Sequence, residues 1–350
     1  MGRAPAFWTP ETVTLIRDRF VAVTVATTDS LREDAVGEFC RDAGMDMFKW
    51  EVRQYCVTAD GRMLEEGGLG IDPRKALERW KVLPEAQRAP GAIRVGDAGP
   101  LDPRYAAPQP PANGWILKTY GRPFMRADDG TLRYITGKDL WFDKEGKTKT
   151  GANGPEAETV SQAQPDHVWL TEAEGTSLMP VDPRKDDRFP MPAALADRFL
   201  RFHLNPLRIY GRYASDALDR KEVRGGELAF TVESVAPGSV RLRLDGFAKF
   251  GRTPPADVVQ GTVACLDQWG YDARVLGYLE YSPASRVLTR FDVVTLGDYF
   301  GRLGLGGGAA SRVGLQPIGF AFELIKGDRP ADRLAPGRVR TSAGYFDMSR

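Results

Sequence analysis

Hydrophobic and polar residues alternate over most of the C-terminal half of the chain, a pattern typical of strands with one buried face. The alternation is strict at residues 240–245, so this segment is predicted to have one face in the core and the other in water. Turns rich in proline, glycine and serine separate the apolar-rich stretches. The stretches predicted as strands are 227–235, 240–250, 258–268, 273–281, 286–296 and 315–325. Their number and spacing predict an antiparallel sandwich or half-open barrel.

One amphipathic helix is predicted just before these strands, at about residues 192–204. Leu195, Phe199 and Phe202 recur there at helical spacing, which gives the helix one apolar face. His203 lies at its C-terminal end, where the helix dipole favours a charged imidazole that caps the last carbonyl groups. We therefore expect one main helix packed against the β-rich domain.

The N-terminal third mixes helical and strand patterns. Its predicted elements are, in order, a helix after Thr9, a buried strand at 20–26, a helix capped by Ser30, a strand at 50–58, a turn at 59–62 that leads into a strand at 63–64, and a helix from Asp72 to Pro84. This order, in which a helix connects two strands, predicts a small three-layer α/β domain.

The segment from about residue 6 to 90 resembles uncharacterised thioredoxin-like proteins of bacteria. Residues 20–26 match the central strand of that fold, and residues 55–64 match the strand-turn-strand before its last helix. The resemblance implies a Cys-x-x-Cys motif after the central strand and a cis-proline before the next core strand. However, the loop at 27–32 contains no cysteine and the stretch at 50–56 contains no proline. The domain is therefore expected to be redox-silent.

Cys40 and Cys56 are the cysteines of this N-terminal domain, and neither occupies the position that the resemblance implies. Cys40 follows Val36 and Phe39 on the predicted inner face of a helix, and Cys56 lies within a predicted buried strand. Free cysteine is among the most buried residue types, so we expect both to be core residues. The alternatives are a helix-to-strand disulfide between them or a peroxide-sensing thiol.

A proline-rich segment separates the two halves of the chain. Seven prolines fall between Pro84 and Pro111, a density that prevents regular structure. The predicted domains are a thioredoxin-like domain at 1–88, a Pro/Gly-rich linker with a small hairpin segment at 89–165, and an antiparallel β-rich domain at 166–350. The fold class expected for the whole chain is α+β.

Composition narrows the function classes. The chain has 48 Lys plus Arg against 47 Asp plus Glu, a net charge of +1, which argues against binding nucleic acid or an anionic membrane surface. No apolar stretch is long enough for a membrane span. With no leader visible, the sequence as written predicts a cytoplasmic protein, or an extracytoplasmic one if a leader has been removed.

Chemical motifs are scarce. The chain has two histidines and three cysteines, and none of them has a second ligand at metal-binding spacing. The glycine-rich segment at 301–314 is predicted to join antiparallel strands, unlike a dinucleotide-binding loop, and the segment at 143–149 lacks the P-loop core. We therefore expect neither a metal nor a cofactor.

Three functional hypotheses follow from the sequence. The leading one is a non-catalytic protein-interaction or ligand-binding protein, whose partner is a protein or a small molecule. The second is a thiol-dependent oxidoreductase or peroxide-responsive protein that uses Cys40 or Cys56. The third is a hydrolase or small-ligand carrier with its site near His203 in the β-rich domain.

Overall fold

The structure is a computed structural model, and it divides the chain into two compact units, Met1–Ala107 and Pro108–Arg350. The fold is mixed, with helices and mostly antiparallel strands. No helix of the described residues is long and apolar enough to cross a membrane. The structure describes residues 10–21, 23, 32–45, 54–67, 72–88, 99–100, 102, 108–135, 163–210, 217–265, 267–303, 310–311, 313–337 and 345–346.

The first unit contains short helices and one β-hairpin among its described residues. Strands β1 and β2 pair antiparallel, with an irregular register between Cys56 and Val57. The elements are α1 (Pro10–Arg19), α2 (Ala35–Asp42), β1 (Gln54–Val57), β2 (Met63–Gly67), α3 (Pro73–Lys81) and α4 (Glu85–Arg88).

Side-chain caps determine where two of these helices begin. Helix α3 begins as predicted, because the Asp72 carboxylate accepts a hydrogen bond from the backbone N–H of Arg74. Helix α2 begins later than the capping box at Ser30 suggests. Its N-cap is Asp34, whose carboxylate accepts from the backbone N–H groups of Val36 and Gly37. Ser30 itself lies outside the described residues.

The predicted central strand at 20–26 is not formed where the structure describes it. Phe20, Val21 and Val23 belong to no strand, and Val21 and Val23 are exposed. A short β-branched run is compatible with a buried strand, but whether it forms one depends on a partner strand that is distant in sequence. The other residues of this stretch lie outside the described part, so the thioredoxin-like fold stays a prediction.

The second unit contains one large sheet with short helices around it. Its strands are β3 (Trp115–Arg126), β4 (Leu132–Tyr134), β5 (Gln164–Leu170), β6 (Arg188–Pro190), β7 (Val223–Ala236), β8 (Ser239–Gly251), β9 (Gly270–Ser282), β10 (Val287–Phe300), β11 (Arg302–Leu303), β12 (Ala310–Ser311) and β13 (Gln316–Ile325). Its α-helices are α5 (Glu172–Ser177), α6 (Ala193–Arg198) and α7 (Ala256–Val259). A π-helix (Phe199–His203) continues α6, and 3₁₀ turns lie at Pro206–Tyr210, Arg220–Glu222 and Pro330–Asp332.

Nine strands form this sheet in the order β4-β3-β13-β10-β9-β8-β7-β6, with β5 also paired to β3. Short turns join β7 to β8 and β9 to β10, the longer connection from β8 to β9 contains α7, and every pair is antiparallel. Buried and exposed residues alternate along β8, β9 and β10, so one face is covered and the other is wet. The antiparallel β-rich architecture predicted for this part of the chain is confirmed.

The covered face of the sheet packs against α6 and the π-helix. The Phe199 ring lies 6.2 Å from that of Phe291 on β10 and 5.6 Å from that of Phe322 on β13, measured between ring centroids. The amphipathic helix predicted at 192–204 therefore exists, although its last turn is a π-helix. All five residues of that turn are buried, which places His203 inside the core.

Two predictions about this part of the chain differ from the structure. Where the structure describes the stretch at 258–268, it is not a strand but the end of helix α7 followed by a loop, because Gly261 adopts φ +73°, a conformation that ends the helix and does not occur in a strand. The hairpin segment expected between the domains includes β3, which pairs with β13 inside the large sheet. The second unit accordingly begins at Pro108 rather than at residue 166.

Candidate functional site

An open cleft lies at the end of the sheet where β7 and β9 begin and β8 ends. Its volume is about 490 Å³, within the range of about 300 to 1,000 Å³ that is common for ligand pockets. Its walls come from the 3₁₀ turn before β7, the loop after β8 and the loop before β9. The lining residues are Glu222, Arg252, Thr253, Asp267, Gln268 and Trp269.

Close backbone packing fixes Trp269 in this cleft. Its carbonyl group accepts a 2.7 Å hydrogen bond from the backbone N–H of Arg252. Gly251 and Gly301 both have positive φ, and a Cβ on either would lie 2.3 to 2.5 Å from atoms of Trp269. Only glycine meets both demands. The Trp269 ring also stacks on Tyr299, with 6.4 Å between ring centroids.

The polar side chains of the cleft are unpaired with respect to the residues that the structure describes. Those of Glu222, Arg252, Thr253, Asp267 and Gln268 form no hydrogen bond or ion pair with any residue that the structure describes. The cleft therefore keeps both donors and acceptors available to a ligand.

On the solvent-exposed face of the same sheet, several charged side chains pair with one another. Arg243 lies 2.7 Å from Asp245, and Arg241 lies 2.8 Å from Glu233. Such exposed pairs contribute little to stability, but they do occupy the groups involved. The cleft differs in that none of its charged side chains is paired with a described residue.

Buried polar groups lie on the covered face at the same end of the sheet. Burial raises the pKa of Tyr271 and of Tyr299, so both phenols stay protonated, and the Tyr271 hydroxyl donates to the carbonyl of Ile318 at 2.9 Å. Gln316 is the register partner of Tyr299 on the neighbouring strand. Both polar atoms of its buried amide have no hydrogen-bond partner among the described residues.

A second concavity, of about 510 Å³, is lined, among the residues that the structure describes, by α1 alone through Glu11, Thr14, Leu15, Asp18 and Arg19. Binding sites gain specificity when groups from several elements converge, and a surface made by one helix face does not provide this. It offers no comparable site.

A different polar cluster, here termed the buried cluster, lies inside the second unit. It contains two arginine–carboxylate pairs, a histidine and a tyrosine. Arg198 lies 2.9 Å from Glu174, and Arg208 lies 3.0 Å from Asp166, with the Arg198 side chain only 1 % exposed. The members of the buried cluster are Asp166, Trp169, Glu174, Arg198, His203, Arg208 and Tyr345.

His203 is neutral in the buried cluster. Its Nε2 lies 2.8 Å from the Tyr345 hydroxyl oxygen, which also accepts a hydrogen bond from the backbone N–H of Trp169. Burial lowers the pKa of His203 well below 6.5, and the neighbouring cations Arg208 and Arg198 lower it further. The charged cap expected at this helix end is therefore wrong, because the helix terminus is inside the core rather than in water.

The three candidate site residues predicted from the sequence do not converge. His203 lies in the buried cluster and lines neither concavity. Cys40 is buried in a small core with Ala43 and Met45. Cys56 lies on β1 opposite Glu65, and both its partial burial and that carboxylate raise the pKa of its thiol. A raised pKa disfavours the thiolate that redox chemistry requires.

The other histidine and cysteine have different surroundings. His167 is buried on β5, in register with Lys118 on β3. Cys265 is half-buried, and its thiol lies 3.5 Å from the carbonyl of Gln268, next to the cleft.

Metal and nucleotide motifs gain no support from the described residues. Within that part of the chain, no three His, Cys, Asp or Glu side chains converge as a metal site would require. Strands β11 and β12 pair antiparallel, which fits the hairpin predicted for the glycine-rich segment. Residues 304–309 and the segment at 143–149 lie outside the described residues.

Comparison with protein-family models, curated proteins and solved structures gives no match for this chain. The geometry of the cleft is therefore the basis for assigning a function.

Sequence reasoning did not identify the cleft. Its residues come from three segments, and five of the six are of types that usually lie in solvated loops. One signal was present, since Asp267-Gln268-Trp269 places a large aromatic residue beside two polar ones in a loop. The prediction of a strand at 258–268 assigned Asp267 and Gln268 to that strand instead of to a loop.

Proposed function

We propose that this chain is a non-catalytic ligand-binding protein, and that the cleft around Trp269 binds a small polyhydroxylated molecule such as a saccharide. The first unit serves as a redox-silent, thioredoxin-like scaffold in this proposal. The observation that carries it is the convergence of uncommitted polar side chains on a fixed tryptophan.

The composition of the cleft favours a sugar over an ion. Glu222 and Asp267 disfavour an anion, and Arg252 disfavours a cation, since each would place like charges together. A neutral ring with several hydroxyl groups both donates and accepts hydrogen bonds, as these side chains do. Its C–H face can in turn pack on an aromatic ring such as Trp269.

The catalytic alternatives have weaker support. The pKa shift and burial at Cys56 and the burial of Cys40 disfavour thiol chemistry, and His203 lines neither concavity. The proposal is accordingly one of binding.

Saturation-transfer NMR with a panel of sugars tests the proposal. The probes are glucose, galactose, xylose, N-acetylglucosamine, maltose and cellobiose, with inorganic phosphate and choline as charged competitors. We expect at least one sugar to give a saturable signal that Arg252→Ala abolishes. Arg243→Ala is the matched control, because its guanidinium is paired on the wet face of the sheet.

Three results would overturn the proposal. If no sugar in the panel binds saturably, saccharides are rejected as the ligand class. If sugar binding survives Arg252→Ala, the cleft is rejected as the binding site. Binding of phosphate or choline in place of sugars would keep the cleft and reject the saccharide.

A further inference from the structure

Three aliphatic side chains, here termed the apolar patch, lie next to one another on the solvent-exposed face of the large sheet. Leu276 of β9 is the register partner of Val294 on β10, and Leu296 follows two residues later on the same face. Their exposed fractions are 44, 56 and 40 %. Directly opposed residues of a sheet have Cβ atoms about 5 Å apart, so these side chains form one surface rather than isolated exposures.

Two aromatic rings extend this surface toward the β4 edge of the sheet. Gly319 on β13 is the register partner of Leu296. A Cβ on Gly319 would lie 3.0 Å from the ring of Phe124, so that ring covers the position where the glycine has no side chain. The rings of Phe124 and Tyr134 stack with 6.1 Å between centroids, and Tyr134 is well exposed. Strands β3, β4, β9 and β10 therefore share one exposed apolar surface.

The carboxylates on the same face already have partners. On β8, β9, β10 and β13, each of them lies against a cation or a phenol hydroxyl. The pairs are Asp245 with Arg243, Asp272 with Arg224, Glu280 and Asp292 with Arg290, Asp298 with Arg126, and Glu323 with the hydroxyl of Tyr120. Exposed pairs of this kind add little stability, but they offset the negative charge of the face.

Two arginines beside the apolar patch have no carboxylate partner among the described residues. Arg274 and Arg122 lie in the same row of the sheet as Leu296, one on each side of it. The guanidinium carbon of Arg122 lies 3.7 Å from the ring centroid of Tyr134, a cation–π contact that leaves its charge uncompensated. The unpaired charge around the patch is therefore positive.

We propose that the apolar patch docks an acidic, amphipathic segment of a partner protein. Apolar residues of such a segment cover the patch, and its carboxylates reach Arg274 and Arg122. Single-stranded nucleic acid fits less well, because bases stack on aromatic rings and the centre of the patch is aliphatic. A second copy of this chain also fits less well, since a two-fold interface would place this positive surface against itself.

Fluorescence anisotropy with labelled synthetic peptides tests this inference on the full chain. The probe is a short peptide of Leu and Glu whose leucines share one helical face. In two matched peptides, Lys replaces every Glu or Ser replaces every Leu. We expect saturable binding of the Leu/Glu peptide alone, and we expect that binding to weaken as salt is added.

Variants of the patch separate its apolar and charged contributions. Arg274→Glu should weaken binding of the Leu/Glu peptide about fivefold, because it reverses a charge beside the patch. Val294→Thr combined with Leu296→Thr should weaken it about tenfold, while the β-branched side chains still suit a strand. Lys185→Glu is the matched control and should bind as the wild type does. It makes the same change of charge in the turn before β6, at the opposite edge of the sheet.

The inference is overturned if the Leu/Glu peptide does not bind, if either matched peptide binds equally well, or if either patch variant keeps the wild-type affinity. Binding of oligothymidylate in place of the peptide would assign the patch to nucleic acid. Self-association that the patch variants abolish would assign it to a second copy. Neither result affects the sugar proposal, because the cleft shares no residue with the patch.

Discussion

The buried cluster around His203 and the cleft around Trp269 contain similar polar side chains, but those of the cluster are buried and paired, whereas those of the cleft are accessible and unpaired with any described residue. In the buried cluster, carboxylates face arginines and the histidine faces a phenol, all inside the core. In the cleft, an arginine, two acids and an amide have no partner among the described residues. The buried cluster pairs its charged groups internally, although Trp169 Nε1, Arg198 Nε and His203 Nδ1 have no hydrogen-bond partner among the described residues. The groups of the cleft are accessible and therefore available to a ligand.

This difference explains why residue type alone is a poor guide to function here. His203 is the kind of residue that catalysis often uses, yet burial keeps it neutral and it lines neither concavity. Arg252 and Gln268 are common surface residues, yet they converge on a fixed aromatic ring.

The largest effect is expected from breaking the ion pair of the buried cluster. Glu174→Ala leaves the Arg198 guanidinium, now 1 % exposed, without its carboxylate and also removes the capping box of α5. We expect the free energy of unfolding to fall by about 3 kcal/mol or more, measured by urea denaturation.

Glu227→Ala is the matched control for that variant. Glu227 pairs with Arg188 at 2.9 Å, but both side chains are more than half exposed. Its loss should cost about 0 to 1 kcal/mol. Equal losses for the two variants would contradict the contrast between buried and exposed charges.

Acidification should weaken the buried cluster through His203. Its pKa is about 6.5 when unfolded and lower when folded, so the unfolded state binds the extra proton first. The stabilising contribution is complete above pH 6.5 and decreases as pH falls below it, by up to about 1.4 kcal/mol per pH unit. Urea denaturation between pH 7 and 5 measures this.

His203→Gln should flatten that pH dependence, since glutamine does not titrate. The comparison is confined to pH 5 and above, because carboxylates dominate at lower pH. Asp34 is one of these, and the Arg32 guanidinium holds its pKa well below the usual range. A slope unchanged in His203→Gln would show that another group is responsible.

Much of the fold was predictable because it depends on local pattern. The alternation along β8, β9 and β10 identified those strands, and the spacing of Leu195, Phe199 and Phe202 identified the helix. Pairing between distant segments was not predictable in this way. The pairing of β3 with β13 joins segments that are far apart in sequence. Whether Phe20 and Val21 form a strand likewise depends on a distant partner, and they form none.

The candidate site was less predictable for the same reason. His203 could be named from its type, but its burial depends on Tyr345, which lies 142 residues away. The cleft joins Glu222 to residues after β8 and before β9, and no motif marks that convergence. Only the register of the sheet brings these ends together.

A smaller effect on stability is expected from the cleft. Arg252→Ala, Asp267→Ala and Gln268→Ala should each change the free energy of unfolding by no more than about 0.5 kcal/mol, because these side chains are exposed and unbonded. Thermal or urea denaturation checks this. Losses comparable to that of Glu174→Ala would mean that the cleft is a structural element.

Thiol titration of the native protein distinguishes the binding proposal from the thiol-dependent alternative, and it does not depend on any change in the stability of the fold. Cys40 is buried and the pKa of Cys56 is raised, so we expect half-buried Cys265 to react first with a disulfide reagent at neutral pH. Cys265→Ser should remove this fast phase. Its loss in Cys40→Ser or Cys56→Ser instead would favour the thiol-dependent alternative.

The most direct test of the binding proposal is to map amide chemical shifts by NMR during titration with the sugar that binds best in the panel. We predict that shifts concentrate at Glu222, Arg252, Thr253 and residues 267–269, while the amides of Phe199–His203 stay in place. Shifts centred on Phe199–His203, or no saturable shifts at the cleft, would contradict the account.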